Sequence, residues 1–319
     1  MDWRDELAQQ LPNSRLRRDY ALAQVTTLSL GGPADALVDV ADEAELVILF
    51  DFIRQRNLSW RLLGKGSNVL VPDEGVRGVV LRLGRGFSQV LRGSEMPKDS
   101  LLLPGDNGAN DTMVWAGAGV SNPVFVRQCR NWGLGGMAFL TAVPGSIGGA
   151  LAMNAGAHGA ETSTFVRWAR VLHLEKQQIM HLRREDMAFA YRQSPLKVSA
   201  GMLALGAVFQ LQPMAQAEME AAERAIQQYR RDTQPRDYPN CGSVFKNPPG
   251  HHAARLIQEA GLKGQRLGGM QVSEKHANFM VNRQDGTAKD MLALVALVRQ
   301  TVQQRTGIAL ELEVEVWAP

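Results

Sequence analysis

Residues 133–159 read GLGGMAFLTAVPGSIGGALAMNAGAHG. Side chains this small let main chain approach a ligand, or other main chain, closely. The centre of the stretch, Pro144-Gly145-Ser146-Ile147-Gly148-Gly149, is a glycine loop, and a second one stands earlier as Gly64-Lys65-Gly66-Ser67-Asn68. The earlier loop lies between the strand-like runs Trp60-Arg61-Leu62-Leu63 and Val69-Leu70-Val71. A strand-to-turn segment of this kind can aim several N–H groups at one anion, which suits a diphosphate. It has neither the GxxxxGK[ST] spacing of a nucleoside-triphosphatase loop nor the GxGxxG of a Rossmann turn, and alone it also reads as an ordinary tight turn. One large bound cofactor can occupy both loops.

Outward from these loops the pattern is mixed. Ala36–Val40 reads as a strand, followed by Leu46, Leu49, Phe50 and Ile53 at helical spacing, and Val79–Leu83 as another strand. A helix is expected from Asn122, with Pro123 in its first turn and Gly133 as its stop. Strands are expected over Val166–Leu174 and Met202–Leu211, and a polar-faced helix over Glu218–Arg231. A domain boundary is placed near Pro213. Thr287 and Asp290 form a capping box for a long helix whose apolar stripe is Met291, Leu294, Val295, Val298 and Val302, ending at Gly307. The last strand alternates: Ile308, Leu310, Leu312, Val314 and Val316 share one face, and Glu311, Glu313 and Glu315 the other. Residues 93–112, rich in Gly, Pro and polar types, are expected to form a surface loop.

At 319 residues the chain is expected to hold two or three domains, since single domains run to about 100–200 residues. Lys and Arg number 35 against 32 Asp and Glu, and a net charge of +3 is too small for a broad nucleic-acid footprint. Cys129 and Cys241 lack metal-type spacing and read as free thiols of a reducing cytosol. The charged start, Met1 to Glu6, has no apolar signal stretch, and no apolar run approaches the ~20 residues of a membrane span. A cytoplasmic protein without metal or membrane insertion is expected.

Several side chains can carry chemistry. Arg192 follows Tyr191 in FAYRQS, where a guanidinium can clamp a carboxylate in two-pronged fashion, or be a surface Arg beside a packed Tyr. Ser243 sits in CGSVFKNP, a turn where serine is commonly structural. Periodicity does not distinguish Glu311, Glu313 and Glu315 from one another or from a solvated face. His276 reads as a ligand contact or a hydrogen-bonded structural histidine, and His251 with His252 lacks the neighbours of a metal site.

In order along the chain, TLSLGGPA (27–34), GKGSN (64–68), AGAG (116–119), FLTAVPGSIGGALAMNAGAHG (139–159), YRQS (191–194), CGSVFKNP (241–248), AARLIQEAGLKGQRLGGMQVSEKHANFMVN (253–282) and LELEV (310–314) resemble the UDP-N-acetylenolpyruvoylglucosamine reductase family over nearly the whole chain. The resemblance implies an α+β fold: an FAD-binding domain of the p-cresol methylhydroxylase or vanillyl-alcohol oxidase type in two α+β subdomains (1–84 and 85–212), plus a C-terminal α+β substrate domain (213–319). It implies non-covalent FAD held by Gly64, Lys65, Gly66, Ser67 and Asn68 and by Pro144, Gly145, Ser146, Gly148 and Gly149. The family's catalytic positions fall on Arg192, Ser243 and Glu313, and substrate contacts on Tyr191, Arg231, Lys246 and Asn247. Ser243 follows Arg192 by only 51 positions, too few for an extra tyrosine-bearing loop, so the compact form of the family is expected. Leu312 and Glu315 depart from the family's proline and arginine around Glu313.

The activity implied is NADPH-dependent reduction of an enolpyruvyl ether on a UDP-sugar, in peptidoglycan precursor synthesis. Flavin N5 gives hydride to C3 and Ser243 gives a proton to C2, while Arg192 and Glu313 stabilise the charge built on the carboxylate. A flavin oxidase of the same superfamily, and a nucleotide-binding module without catalysis, are the alternatives.

Overall fold

The computed structural model describes residues 2–96, 110–197 and 201–318. Two compact units interleave along the chain: Met1–Leu16, Val38–Leu58 and Leu81–Gln228 form the first, and Arg17–Leu37, Ser59–Val80 and Tyr229–Pro319 the second. The strands Arg15–Ala21, Pro33–Val40, Val76–Leu83 and Trp60–Leu62 stand in that order in a four-stranded sheet. The helix Glu43–Gln55 follows Pro33–Val40, with Leu46, Leu49, Phe50 and Ile53 buried as their helical spacing requires.

The first unit is built on a five-stranded antiparallel sheet in the order Gln178–Arg183, Val166–His173, Met202–Gln210, Met113–Gly117, Val90–Arg92. Its central strand, Met202–Gln210, is buried everywhere but at its two end residues, which is why its sequence is a continuous apolar run rather than an alternation. The helix Asn122–Asn131 carries Pro123 in its first turn and presses Phe125 on Phe209 of that strand, ring centroids 5.1 Å apart. The seven-residue helix Ile147–Met153 starts at Ser146, whose hydroxyl accepts from Gly149 N–H, and ends at Asn154 in the left-handed region, φ 42°. The polar-faced helix runs Gln216–Thr233.

In the second unit the strands Asn240–Ser243, Phe279–Asn282, Met270–Val272 and Arg266–Leu267 form a sheet in that order. The helix Ala288–Thr306 buries Met291, Leu294, Val295, Val298 and Val302 in the same core as Met270, Val272 and Met280. Thr287 and Asp290 cap it reciprocally, at 3.0 and 3.1 Å, and hydrogen bonding to Thr287 holds the Asp290 carboxyl below its ordinary range. The Asp73 carboxylate also accepts from Ala288 and Lys289 N–H, at 2.7 and 3.0 Å. Gly307, φ 73°, ends the helix.

The alternating C-terminal strand is a correction. Only Glu315–Val316 is strand, paired in parallel with Val69–Leu70, while Leu312 makes an isolated bridge to Phe245. Two different partners hold successive parts of the segment, so one pleat does not run through it. Val316 is accordingly 40% exposed and Trp317, off the expected apolar face, is buried. Of the loop expected at 93–112, Gly93–Glu95 form a single 3-10 turn and residues 97–109 lie outside the described residues. Among the described residues no helix is long and apolar enough to cross a membrane.

Candidate active site

In the second unit main-chain hydrogen bonds bring three of the quoted motifs together. Between Asn240 and Ser243 the strand makes three steps while its partner makes two, from Val281 to Phe279. The extra residue is a bulge, made possible by Gly242 at φ 79°, and bulges re-aim side chains next to active sites. Ser243 is half-buried there. The chain beyond it is clamped by buried Asn278: Val244 N–H donates to the Asn278 carbonyl at 2.8 Å, Phe245 N–H to its Oδ1 at 3.0 Å, and its Nδ2 to the Phe245 carbonyl at 2.8 Å.

The same clamped segment takes the C-terminal chain. Glu313 N–H donates to the Val244 carbonyl at 2.8 Å and Lys246 N–H to the Glu311 carbonyl at 2.9 Å. This arrangement separates three glutamates that the sequence pattern left equivalent: Glu313 is half-buried, whereas Glu311 and Glu315 are exposed. Glu311 forms an ion pair with Lys246 at 3.3 Å. Asn68 completes the arrangement, donating from Nδ2 to the Glu313 carbonyl at 3.1 Å and accepting from Glu315 N–H at 3.0 Å. Thr27 ties both ends, since its N–H donates to the Gly66 carbonyl at 2.9 Å and its hydroxyl to the Asn240 carbonyl at 2.7 Å.

The GKGSN loop needs glycine for a reason internal to the protein. Gly66 has φ 67°, and a Cβ there would stand 2.1 Å from the Val25 carbonyl oxygen. The turn packs on Val25 and Thr26 while Gly64 and Lys65 face outward, exposed. In the first unit, Asn122 N–H donates to the Gly145 carbonyl at 3.1 Å and Gly148 N–H to the Ala118 carbonyl at 2.9 Å, fixing the second loop. Gly149 is exposed, and a Cβ there would meet nothing nearer than Ser146 Oγ at 3.8 Å. In each loop, taken by itself, exposed glycine main chain is chemically suited to a phosphate group such as those of FAD, and at the first loop the Lys65 charge adds to it.

Arg192 belongs to the first unit. Ala190 and Gln193 exchange both main-chain hydrogen bonds, at 3.1 and 3.0 Å, which leaves Tyr191 and Arg192 as the two central residues of a tight turn. Arg192 takes φ 56°, where glycine or asparagine is usual, and such strain clusters at functional sites. Its guanidinium lies 4.9 Å from the Tyr191 ring centroid and donates to the Gly156 carbonyl at 3.2 Å. Asn154, fully buried, positions the turn: its Nδ2 donates to the Ala190 carbonyl at 3.2 Å and its Oδ1 accepts from Ser163 N–H at 2.9 Å.

The remaining expected contacts lie in the second unit. Arg231 is exposed, and its carbonyl accepts from Lys275 Nζ. The Asn247 Oδ1 accepts from Ala253 N–H at 3.0 Å, at the start of the helix Ala253–Glu259. Burial, then the nearby Glu313 charge, push the Cys241 thiol up to about 12, so it is no thiolate nucleophile. Burial and then Lys263 lower the pKa of His276, which stacks edge-on to Phe279 at 4.8 Å with Nδ1 buried and unpartnered. Asn154, Asn278 and Thr27 were missed as positioning residues. The one legible signal was Asn following Met153, a left-handed helix cap in sequence terms.

Residues 234–317 match the family model described as UDP-N-acetylenolpyruvoylglucosamine reductase, C-terminal domain, and residues 34–182 the model described as FAD binding domain. A UDP-N-acetylenolpyruvoylglucosamine reductase of Symbiobacterium thermophilum is 43% identical over 303 residues, covering 95% of this chain and 92% of the relative. One from Bacillus subtilis is 38% identical over 295 residues, covering 92% and 91%. The crystal structure of UDP-N-acetylenolpyruvylglucosamine reductase from Thermus caldophilus superposes with a TM-score of 0.77 at 34% identity, covering 96% of this chain and 100% of that one.

Proposed function

The chain belongs to the UDP-N-acetylenolpyruvoylglucosamine reductase family, an FAD-binding domain of the p-cresol methylhydroxylase type joined to the reductase C-terminal domain, and from that premise we propose how its residues carry out the reduction. It is an oxidoreductase of peptidoglycan precursor synthesis. The functional division assigned is cofactor binding in 1–84 and 85–212 and substrate binding in 213–319. When bound, without a covalent bond, FAD would supply the hydride chemistry, N5 to C3 of the enolpyruvyl group on the UDP-sugar, with NADPH as the co-substrate that provides the electrons. The Gly64–Asn68 and Pro144–Gly149 loops hold its diphosphate.

Arg192 receives the substrate carboxylate in two-pronged fashion and stabilises the enolate charge that grows on it, an effect worth about 3–4 kcal/mol for a well-placed group. Glu313 acts in the same stabilisation only through a proton, its own or a shared one, because a bare carboxylate would repel the enolate. Ser243 donates its hydroxyl proton to C2 and completes the reduction. Tyr191, Arg231, Lys246 and Asn247 bind the UDP-sugar, and the reaction belongs in the cytoplasm, where NADPH is available.

The observation that carries this reading is the bulge that presents Ser243 on a segment hydrogen-bonded to the chain at Glu313, through Val244 at 2.8 Å. Two assays on the purified protein test it. Flavin absorbance bands, together with NADPH oxidation that requires the enolpyruvyl UDP-sugar, are expected. A colourless protein that takes up no FAD points to a nucleotide-binding module, and reoxidation by air alone to an oxidase; either contradicts the reading.

A further inference from the structure

The helices Asn122–Asn131 and Gln216–Thr233 border a cavity of about 180 Å³ within the first unit. Its apolar wall includes Val126, Leu134, Met137, Met214 and Met219, and none of the residues assigned above to cofactor, substrate or proton transfer lines it. Gly135 shapes it: a Cβ there would stand 2.5 Å from Met214 Sδ, so a larger residue would displace the Met214 side chain. An apolar cavity of about 150 Å³ holds a benzene ring, whereas a water molecule occupies about 30 Å³.

Two charged side chains stand in this apolar lining. Arg130 Nη1 and Glu223 Oε2 are paired at 3.1 Å, and Glu223 is only 9% exposed. The pairing uses one atom of each. Arg130 Nε and Glu223 Oε1 are both buried and have no hydrogen-bond partner. A buried donor and a buried acceptor without partners are rare in native proteins, and an occupant of the cavity that both residues line would satisfy them. Cys129 also lines the cavity, but burial raises its thiol pKa far above neutrality, which excludes a thiolate adduct or a metal ligand.

We propose that this cavity is a small-molecule site for a single apolar ring bearing a cis-amide, whose carbonyl accepts from Arg130 Nε–H and whose N–H donates to Glu223 Oε1. A lactam edge offers one acceptor and one donor, matching the two orphaned atoms in kind, while the ring fills space that one bridging water leaves empty. The site is separate from the residues that act on the UDP-sugar, so its occupant is an added ligand of the enzyme.

The probe is δ-valerolactam, titrated into the FAD-loaded full chain labelled with ¹³C at the methionine methyls. Met137, Met214 and Met219 should shift, with a dissociation constant on the order of 1 mM for so small a ligand, while methionines outside the cavity stay still. N-methyl-δ-valerolactam, which lacks the donor, should bind about tenfold more weakly or worse. The paired replacement Arg130→Met with Glu223→Leu removes both charges together, leaves neither buried alone, and should abolish the preference between the two lactams. No shift of the three methyls up to about 50 mM lactam, a range far above that constant, overturns the proposal. Equal binding of the two lactams by the wild-type chain does so as well, because the cavity would then be merely apolar or hold bridging water.

Discussion

Ser243 and Arg192 are both positioned by a buried asparagine, but the two regions are built to different tolerances. Asn278 holds the chain after Ser243 with three hydrogen bonds of 2.8–3.0 Å, two of them through its side chain, and the Glu313 segment adds another at 2.8 Å. Asn154 reaches the Arg192 turn with one bond of 3.2 Å, and Arg192 itself sits in a left-handed conformation beside a Tyr191 that is 48% exposed. A proton donor must meet one carbon at hydrogen-bond range, whereas a guanidinium on a flexible stem can adjust to a carboxylate. The fixed region suits the first task and the adaptable one the second.

Four substitutions sharpen or break that contrast. Ser243→Ala should lose most, on the order of 10²-fold in turnover, the usual worth of a positioned acid. Arg192→Lys should lose more than about tenfold, equivalent to ~1.4 kcal/mol, because an ammonium keeps the charge without the fork; near-normal kinetics would remove Arg192 from the catalytic set. Asn278→Ala leaves the buried Phe245 N–H and carbonyl unsatisfied and should destabilise the fold by about 2 kcal/mol or more in denaturant titration. Asn154→Ala should cost nearer ~1 kcal/mol and raise KM more than it lowers kcat, since it loosens the turn that carries Arg192, the proposed carboxylate clamp. If Asn154→Ala proved as damaging to stability as Asn278→Ala, the two regions would not differ as described.

Regular elements were readable from the sequence because their signals are local. The capping box at Thr287 and Asp290 and the stripe down to Val302 fixed one helix, and the continuous apolar run fixed the strand Met202–Gln210. The C-terminal segment was misread because its alternation is real in sequence yet serves two partners, Phe245 and Val69–Leu70, which no local pattern reveals. Motif resemblance named Glu313 among three equivalent glutamates, and burial then gave the physical distinction: Glu313 is half-buried while its neighbours are exposed. The asparagines escaped notice because their work is long-range, Asn278 to Phe245 across 33 positions and Asn154 to Ala190 across 36. Gly66 was read as room for a ligand, and the structure adds a second reason, its contact with the Val25 carbonyl. Gly66→Val should therefore lower both FAD retention and thermal stability, read by flavin fluorescence and melting temperature on one preparation.

Stopped-flow absorbance of Ser243→Ala tests the central claim most directly, because it follows the two half-reactions separately. Bleaching of the flavin by NADPH needs no proton at substrate C2 and should proceed at nearly the wild-type rate. Reoxidation by the enolpyruvyl UDP-sugar should slow by a factor on the order of 10² or more. Equal slowing of both steps would contradict the account, leaving Ser243 as a structural residue of the bulge rather than the donor of the proton.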